Sequence, residues 1–142
     1  MSDVEVFAVP KDLLPVVWNE ASEKLAPAVV QSNGRMTVQE LKEDVLKGDS
    51  ALWVVWQNDM PVAYYTTRVT AYPRKKAMVL EWIGGSDIES WMDATIEAMR
   101  EHARLNQCDH IEFTGREGWG RLLKKTGWKP EYVCYKMELS DG

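Results

Sequence analysis

The order of elements in the last sixty residues constrains this chain more than any other feature. An apolar run, Met78-Val79-Leu80-Glu81-Trp82-Ile83-Gly84-Gly85, reads as a strand. It leads into a long amphipathic segment from Ser86 to Asn106. Ile88, Met92, Thr95, Ile96, Met99 and Ala103 fall on one face of that segment, and Asp93, Glu97, Arg100, Glu101 and Arg104 on the other. This spacing predicts a helix with one buried stripe. His110-Ile111-Glu112-Phe113-Thr114 reads as the next strand, Trp119 to Lys125 as a short helix, and Tyr132 to Leu139 as a last strand. Two strands joined through a helix of that length must run parallel, because only a crossover returns the chain to the same end of the sheet. Residues 77–83 and 110–114 are therefore expected side by side.

The first half supplies the rest of one sheet and two helices. Val4 to Val9 alternates as a strand. Pro10-Lys11-Asp12 opens a helix with Asp12 as its expected cap, and Leu13, Leu14, Val16, Val17, Ala21 and Leu25 form its stripe until Pro27 ends or bends it. Thr37-Val38-Gln39-Glu40 is a capping-box pattern before a second helix, which Gly48 stops. Ala51 to Gln57 and Pro61 to Tyr72 read as strands joined at Asn58-Asp59, and Pro73-Arg74-Lys75-Lys76 turns the chain into the strand at 77–83. Those three strands form an antiparallel meander.

Composition excludes several classes of function. A chain of 142 residues is one domain. The net charge of −5 and the pI near 5.1 argue against general nucleic-acid binding, which needs a basic face. No apolar run reaches the length of a membrane span, and the acidic start Met1-Ser2-Asp3-Val4-Glu5 is unlike a secretory signal. Cys108 and Cys134 lack ligand spacing and are expected as reduced thiols in the cytoplasm. His102 and His110 have no Cys or acid at metal-ligand spacing. The seven tryptophans are either packing residues or, in part, an exposed patch for a partner.

Strand, two helices, three antiparallel strands, helix, strand, helix, strand resembles the GNAT (acyl-CoA N-acyltransferase) domain, a mixed α+β fold with helices on both faces of its sheet. The segment Cys108-Asp109-His110-Ile111-Glu112-Phe113-Thr114-Gly115-Arg116-Glu117-Gly118-Trp119 and the later Lys124-Lys125-Thr126-Gly127-Trp128-Lys129 are similar to those of small GNAT-like proteins of tailed bacteriophages. The resemblance implies that acetyl-CoA, if bound, lies at Ile83, Gly84, Gly85 and Ser86, where backbone donors and a helix N-terminus face the diphosphate. It also implies departures. No Arg or Gln precedes Gly84-Gly85, Ser86-x-x-Glu89 reads as a capping box that occupies those donors, and Leu123 replaces the tyrosine that protonates the leaving thiolate.

Candidate catalytic groups are Glu81 and Glu112 as general bases and Tyr135 as acid, with Tyr64, Tyr65, Tyr72 and Tyr132 as weaker substitutes. The alternative for each glutamate is an ion pair, Arg68 with Glu81 and Arg116 with Glu112. The loop Gly115 to Arg121 is either a tight turn with positive φ at its glycines or a ligand site using Arg116, Trp119 and Arg121. Two functions follow from the resemblance. One is a GNAT-fold binding or structural component with no cofactor, its partner a phage structural protein or a second copy, located in host cytoplasm or virion. The other is an acetyl-CoA-dependent N-acetyltransferase acting on a primary amine.

Overall fold

The computed structural model describes residues 4–115 and 117–139. Five strands form one sheet in the order β1-β2-β3-β4-β5: β1 (Val4–Ala8), β2 (Ala51–Gln57), β3 (Met60–Ala71), β4 (Lys76–Gly85) and β5 (His110–Phe113). The first four pair antiparallel, and β4 pairs parallel with β5 from Ala77 opposite His110 to Leu80 opposite Phe113. The helices are α1 (Leu14–Val30), α2 (Val38–Lys47), α3 (Ile88–Leu105) and α4 (Gly120–Lys124). This is the mixed sheet the sequence predicts. The two-residue turn at Asn58 and Asp59 joins β2 to β3 with φ of 53° and 61°, matching the right-handed twist of the flanking strands.

Two apolar layers cover the two faces. Trp18, Ala21, Leu25 and Val29 of α1 and Leu41 and Val45 of α2 pack on Leu52 and Tyr64. On the opposite face Trp91, Met92, Ile96, Met99 and Ala103 of α3 pack on Trp53, Val55, Tyr65, Met78, Leu80 and Ile83. All seven tryptophans are buried or half-buried, so none forms an exposed patch. Trp53 stacks on Tyr65 at 5.8 Å and meets the His102 ring edge-on at 4.7 Å. Burial holds His102 below the ordinary imidazole range, and with it the ring stays neutral.

Four expectations need correction. Asp12 does not cap α1: a 3₁₀ turn at Lys11–Leu13 precedes the helix, Leu13 is the cap residue without a side-chain bond, and Pro15 sits in the first turn, where no donor is lost. Pro27 does not end α1 but lies inside it: the helix continues to Val30 because only the Glu23 carbonyl loses a donor so near the end. Ser86 and Glu89 form no capping box: Asp87 is the cap residue of α3, in the left-handed region at φ 58°, and makes no side-chain cap hydrogen bond. Residues 132–139 form no strand among the described residues.

The capping box at Thr37 is present, with Thr37 Oγ1 accepting from the Glu40 N–H at 3.1 Å and Glu40 accepting from the Thr37 N–H at 3.0 Å. Gly84 and Gly85 serve packing. A Cβ at Gly84 would collide with the Lys24 carbonyl of α1, and one at Gly85 with the Val62 carbonyl and Ala63 of β3. Helix α1 thus crosses the sheet at backbone contact.

Two substitutions test these points in urea unfolding. Thr37→Ala is expected to cost about 1 kcal/mol. Gly84→Ala is expected to cost about 3 kcal/mol through overpacking, whereas Gly118→Ala, which meets open space, stays within about 0.5 kcal/mol of the parent.

Candidate functional site

The fork between β4 and β5 is the site that the fold creates. Their pairing stops at Leu80 and Phe113, while β4 runs on to Gly85. The cause is visible in the β3–β4 register. Thr66 faces Trp82 and Thr67 faces Leu80, so Glu81 is an extra residue in a β-bulge. A bulge bends its strand and raises the local twist, and here it turns β4 away from β5. Past the bulge the alternation of faces shifts, with Leu80 and Ile83 both reaching the α3 layer and Trp82 the α1 layer. No periodicity in the sequence announces this bulge, because Leu80-Glu81-Trp82-Ile83 reads as an ordinary strand.

Glu81 is engaged on the α2 side of the sheet. Arg68 donates to it from Nε at 3.2 Å and to Asp44 from Nη2 at 3.0 Å, and the Ser50 hydroxyl donates to Glu81 at 2.7 Å. The Glu81 side chain is 14% exposed and that of Arg68 37%. The Arg68 partnership is the one expected from sequence. Asp44 and Ser50 join it only because α2 packs beside the bulge.

Glu112 sits at the other end of the site. It accepts from the Tyr72 hydroxyl at 2.9 Å, and its second oxygen lies 2.7 Å from His110 Nε2. The hydrogen bond to Glu112, first among its causes, raises the Tyr72 pKa. Arg116, the partner expected for Glu112, lies outside the described residues. Glu112 projects to the face opposite Ile111 and Phe113, which join the α3 layer.

The remaining candidates scatter. Tyr135 is 89% exposed and lies on no strand. Trp119 packs edge-on against Phe113 at 5.1 Å, and Gly115 is required there because a Cβ would strike the Phe113 ring. Gly115, Gly118 and Gly120 do not adopt the positive φ expected of that loop. Arg121 is exposed on α4. Leu123 is half-buried against the α3 layer, and its carbonyl accepts from the Thr126 and Trp128 N–H groups. Gly127, at φ 89°, makes this cap of α4 feasible. The tyrosines of β3 are poor proton donors: burial, then the charge of Glu20, pushes Tyr64 up to about 12, and burial raises Tyr65 further. The Tyr65 hydroxyl, in register with Ile83, has no partner among the described residues.

An acyl-CoA, if bound, would meet two different surfaces here. The stretch of β4 beyond Leu80, unpaired on the β5 side among the described residues, would suit an extended, amide-bearing arm that bonds a strand edge. The start of α3 does not suit a diphosphate. Only Ser86 and Asp87 connect β4 to α3, Gly84 and Gly85 face α1 and β3, and the exposed carboxylates of Asp87 and Glu89 flank the helix end. Backbone donors of the first turn are free of side-chain caps, yet two negative charges oppose a polyanion there. Among the described residues no group of His, Cys, Asp or Glu could hold a metal ion, and no helix is long and apolar enough to cross a membrane.

No family model matches the sequence, and no curated protein matches it. Solved structures do. A probable acetyltransferase superposes with a TM-score of 0.70 at 10% identity, covering 97% of this chain and 99% of that one. An aminoglycoside N-acetyltransferase in complex with CoA superposes with a TM-score of 0.68 at 13% identity, covering 99% and 97%. A glucosamine-6-phosphate N-acetyltransferase from Arabidopsis thaliana gives 0.63 at 12% identity, covering 96% and 99%. Identities this low speak for fold alone: the chain has the fold of the GNAT acetyltransferases.

Proposed function

We propose that this protein is a GNAT-fold binding component that does not transfer acetyl groups. The observation that carries this is the junction of β4 and α3. It is two residues long and acidic, and the two glycines that precede it, Gly84 and Gly85 of β4, are consumed by contacts with α1 and β3. Supporting observations are the engagement of Glu81 by Arg68 and Ser50, and the absence of an acid where Leu123 stands. The resemblance read from the Cys108–Trp119 segment alone points to a phage particle protein as the expected partner class.

A second reading is a working N-acetyltransferase. The bulge at Glu81 and the open fork favour it, since they leave the β4 edge free for a thioester arm. Thermal unfolding with and without acetyl-CoA separates the two. A ligand at a hundred times its dissociation constant stabilises by about 2.7 kcal/mol, which moves the midpoint of a domain this size by about 10 °C. The binding-component reading expects no shift at millimolar acetyl-CoA and no thiol release with any primary amine. A shift with turnover establishes the transferase.

Glu81→Gln distinguishes a structural from a catalytic glutamate. It is expected to lower stability by about 1–2 kcal/mol, discounted for the exposure of Arg68. Urea unfolding reads this loss, and Arg68→Met is expected to lose a similar amount.

A further inference from the structure

A groove of about 580 Å³ lies away from the fork, between the second half of α3, the start of β5 and the turn that follows α4. Its volume falls in the range of about 300–1,000 Å³ that small-molecule sites occupy. The floor is apolar. Ile96 and Ala103 of α3 are buried there, and Ile111 and Trp128 join the same layer. The Ser86–Asp87 junction stands at the other end of α3, so a ligand in this groove is separate from any acyl-CoA at the fork.

The rim is cationic. Arg100 and Arg104 stand one turn apart on α3, close enough to share one head group, and Lys129 joins them from the turn after α4. Three cations thus meet one carboxylate, Asp109, in a chain whose net charge is −5. Asp109 is turned toward β4, where its carboxylate accepts from the Lys76 N–H at 2.9 Å. Arg100 meets Glu97 at 3.3 Å, an exposed pair of little strength. The Arg104 and Lys129 side chains bond no partner among the described residues. Helix stability explains a basic residue such as Arg104 in a last turn. It does not explain a third cation brought from another element to the same apolar floor.

We propose that this groove binds a small amphipathic anion. A carboxylate or phosphate monoester head is held by Arg100, Arg104 and Lys129, and an aliphatic or aromatic body lies on Ile96, Ile111 and Trp128. Guanidinium groups favour such heads because each presents parallel N–H donors to a pair of oxygens. An apolar molecule leaves the three cations without a counter-charge, and a bare anion leaves the floor in water. An amphipathic anion satisfies both. Cys108 lines the groove half-buried, so an occupant covers its thiol. The proposal does not depend on whether the fork binds acetyl-CoA.

The test follows alkylation of Cys108 by iodoacetamide in the full chain carrying Cys134→Ser, which removes the other, exposed thiol. Decanoate and decyl phosphate, each below its micelle concentration, are expected to slow the reaction about fivefold or more at saturation. The tighter of the two identifies the head group. Acetate and inorganic phosphate carry the head alone, and decyltrimethylammonium carries the tail with the opposite charge; none of these is expected to protect at the same concentration. Shortening decanoate is expected to raise the half-protecting concentration by up to about fourfold per methylene lost. The double variant Arg100→Gln with Arg104→Gln is expected to raise it about tenfold or more. The proposal is overturned if neither decyl anion protects, if a bare anion or the ammonium protects equally well, or if the double variant leaves protection unchanged. Should the double variant fail to fold, Lys129→Gln takes its place, with an expected rise of about threefold, and no change there overturns the proposal as well.

Discussion

Strand β4 holds three neighbours at once, and the fold depends on how it does so. Along its first half it pairs with β3 on one side and β5 on the other. At Glu81 a bulge breaks the register, and beyond it β4 keeps β3 but loses β5. Its end is then clamped from α1 by a contact so close that only glycine fits at position 84. The fork, the approach of α1 and the start of α3 are therefore set together. Moving any one of them would force the backbone of the others to shift.

The clamp also bears on function. In a site built for a diphosphate, a glycine pair before a helix leaves donors open toward the ligand. Here the same residues face inward, and their smallness is spent on packing. The helix that follows is free of side-chain caps but begins with carboxylates. A fold shared with acetyltransferases thus coexists with a junction whose local physics disfavours their cofactor's charged end. On the proposed reading, fold and chemistry separate at two residues, Ser86 and Asp87.

Glu81 and Glu112 show a second separation. Both stand on adjacent strands, yet Glu81 is drawn into a network with Arg68, Asp44 and Ser50, and Glu112 into one with Tyr72 and His110. Each network uses residues distant in the chain. The first joins α2, β3 and β4, and the second joins the β3 terminus to β5. Two carboxylates that look equivalent in sequence therefore belong to different local environments, with different hydrogen-bond partners.

The elements whose cause is local were legible from the residues alone. The stripe of α3, the Thr37–Glu40 box, the Asn58-Asp59 turn and the crossover that makes β4 and β5 parallel are all written within a few residues of one another. Long-range packing alone sets the bulge at Glu81, the contact of Gly84 with α1, the replacement of a Ser86 cap by Asp87 in the left-handed region, and the lack of a sheet partner for residues 132–139 among the described residues. Those features arise from backbone meeting backbone across long sequence separations. A strand needs an edge to pair with, and a glycine needs a neighbour to make room for, and neither partner is named by the residues on either side.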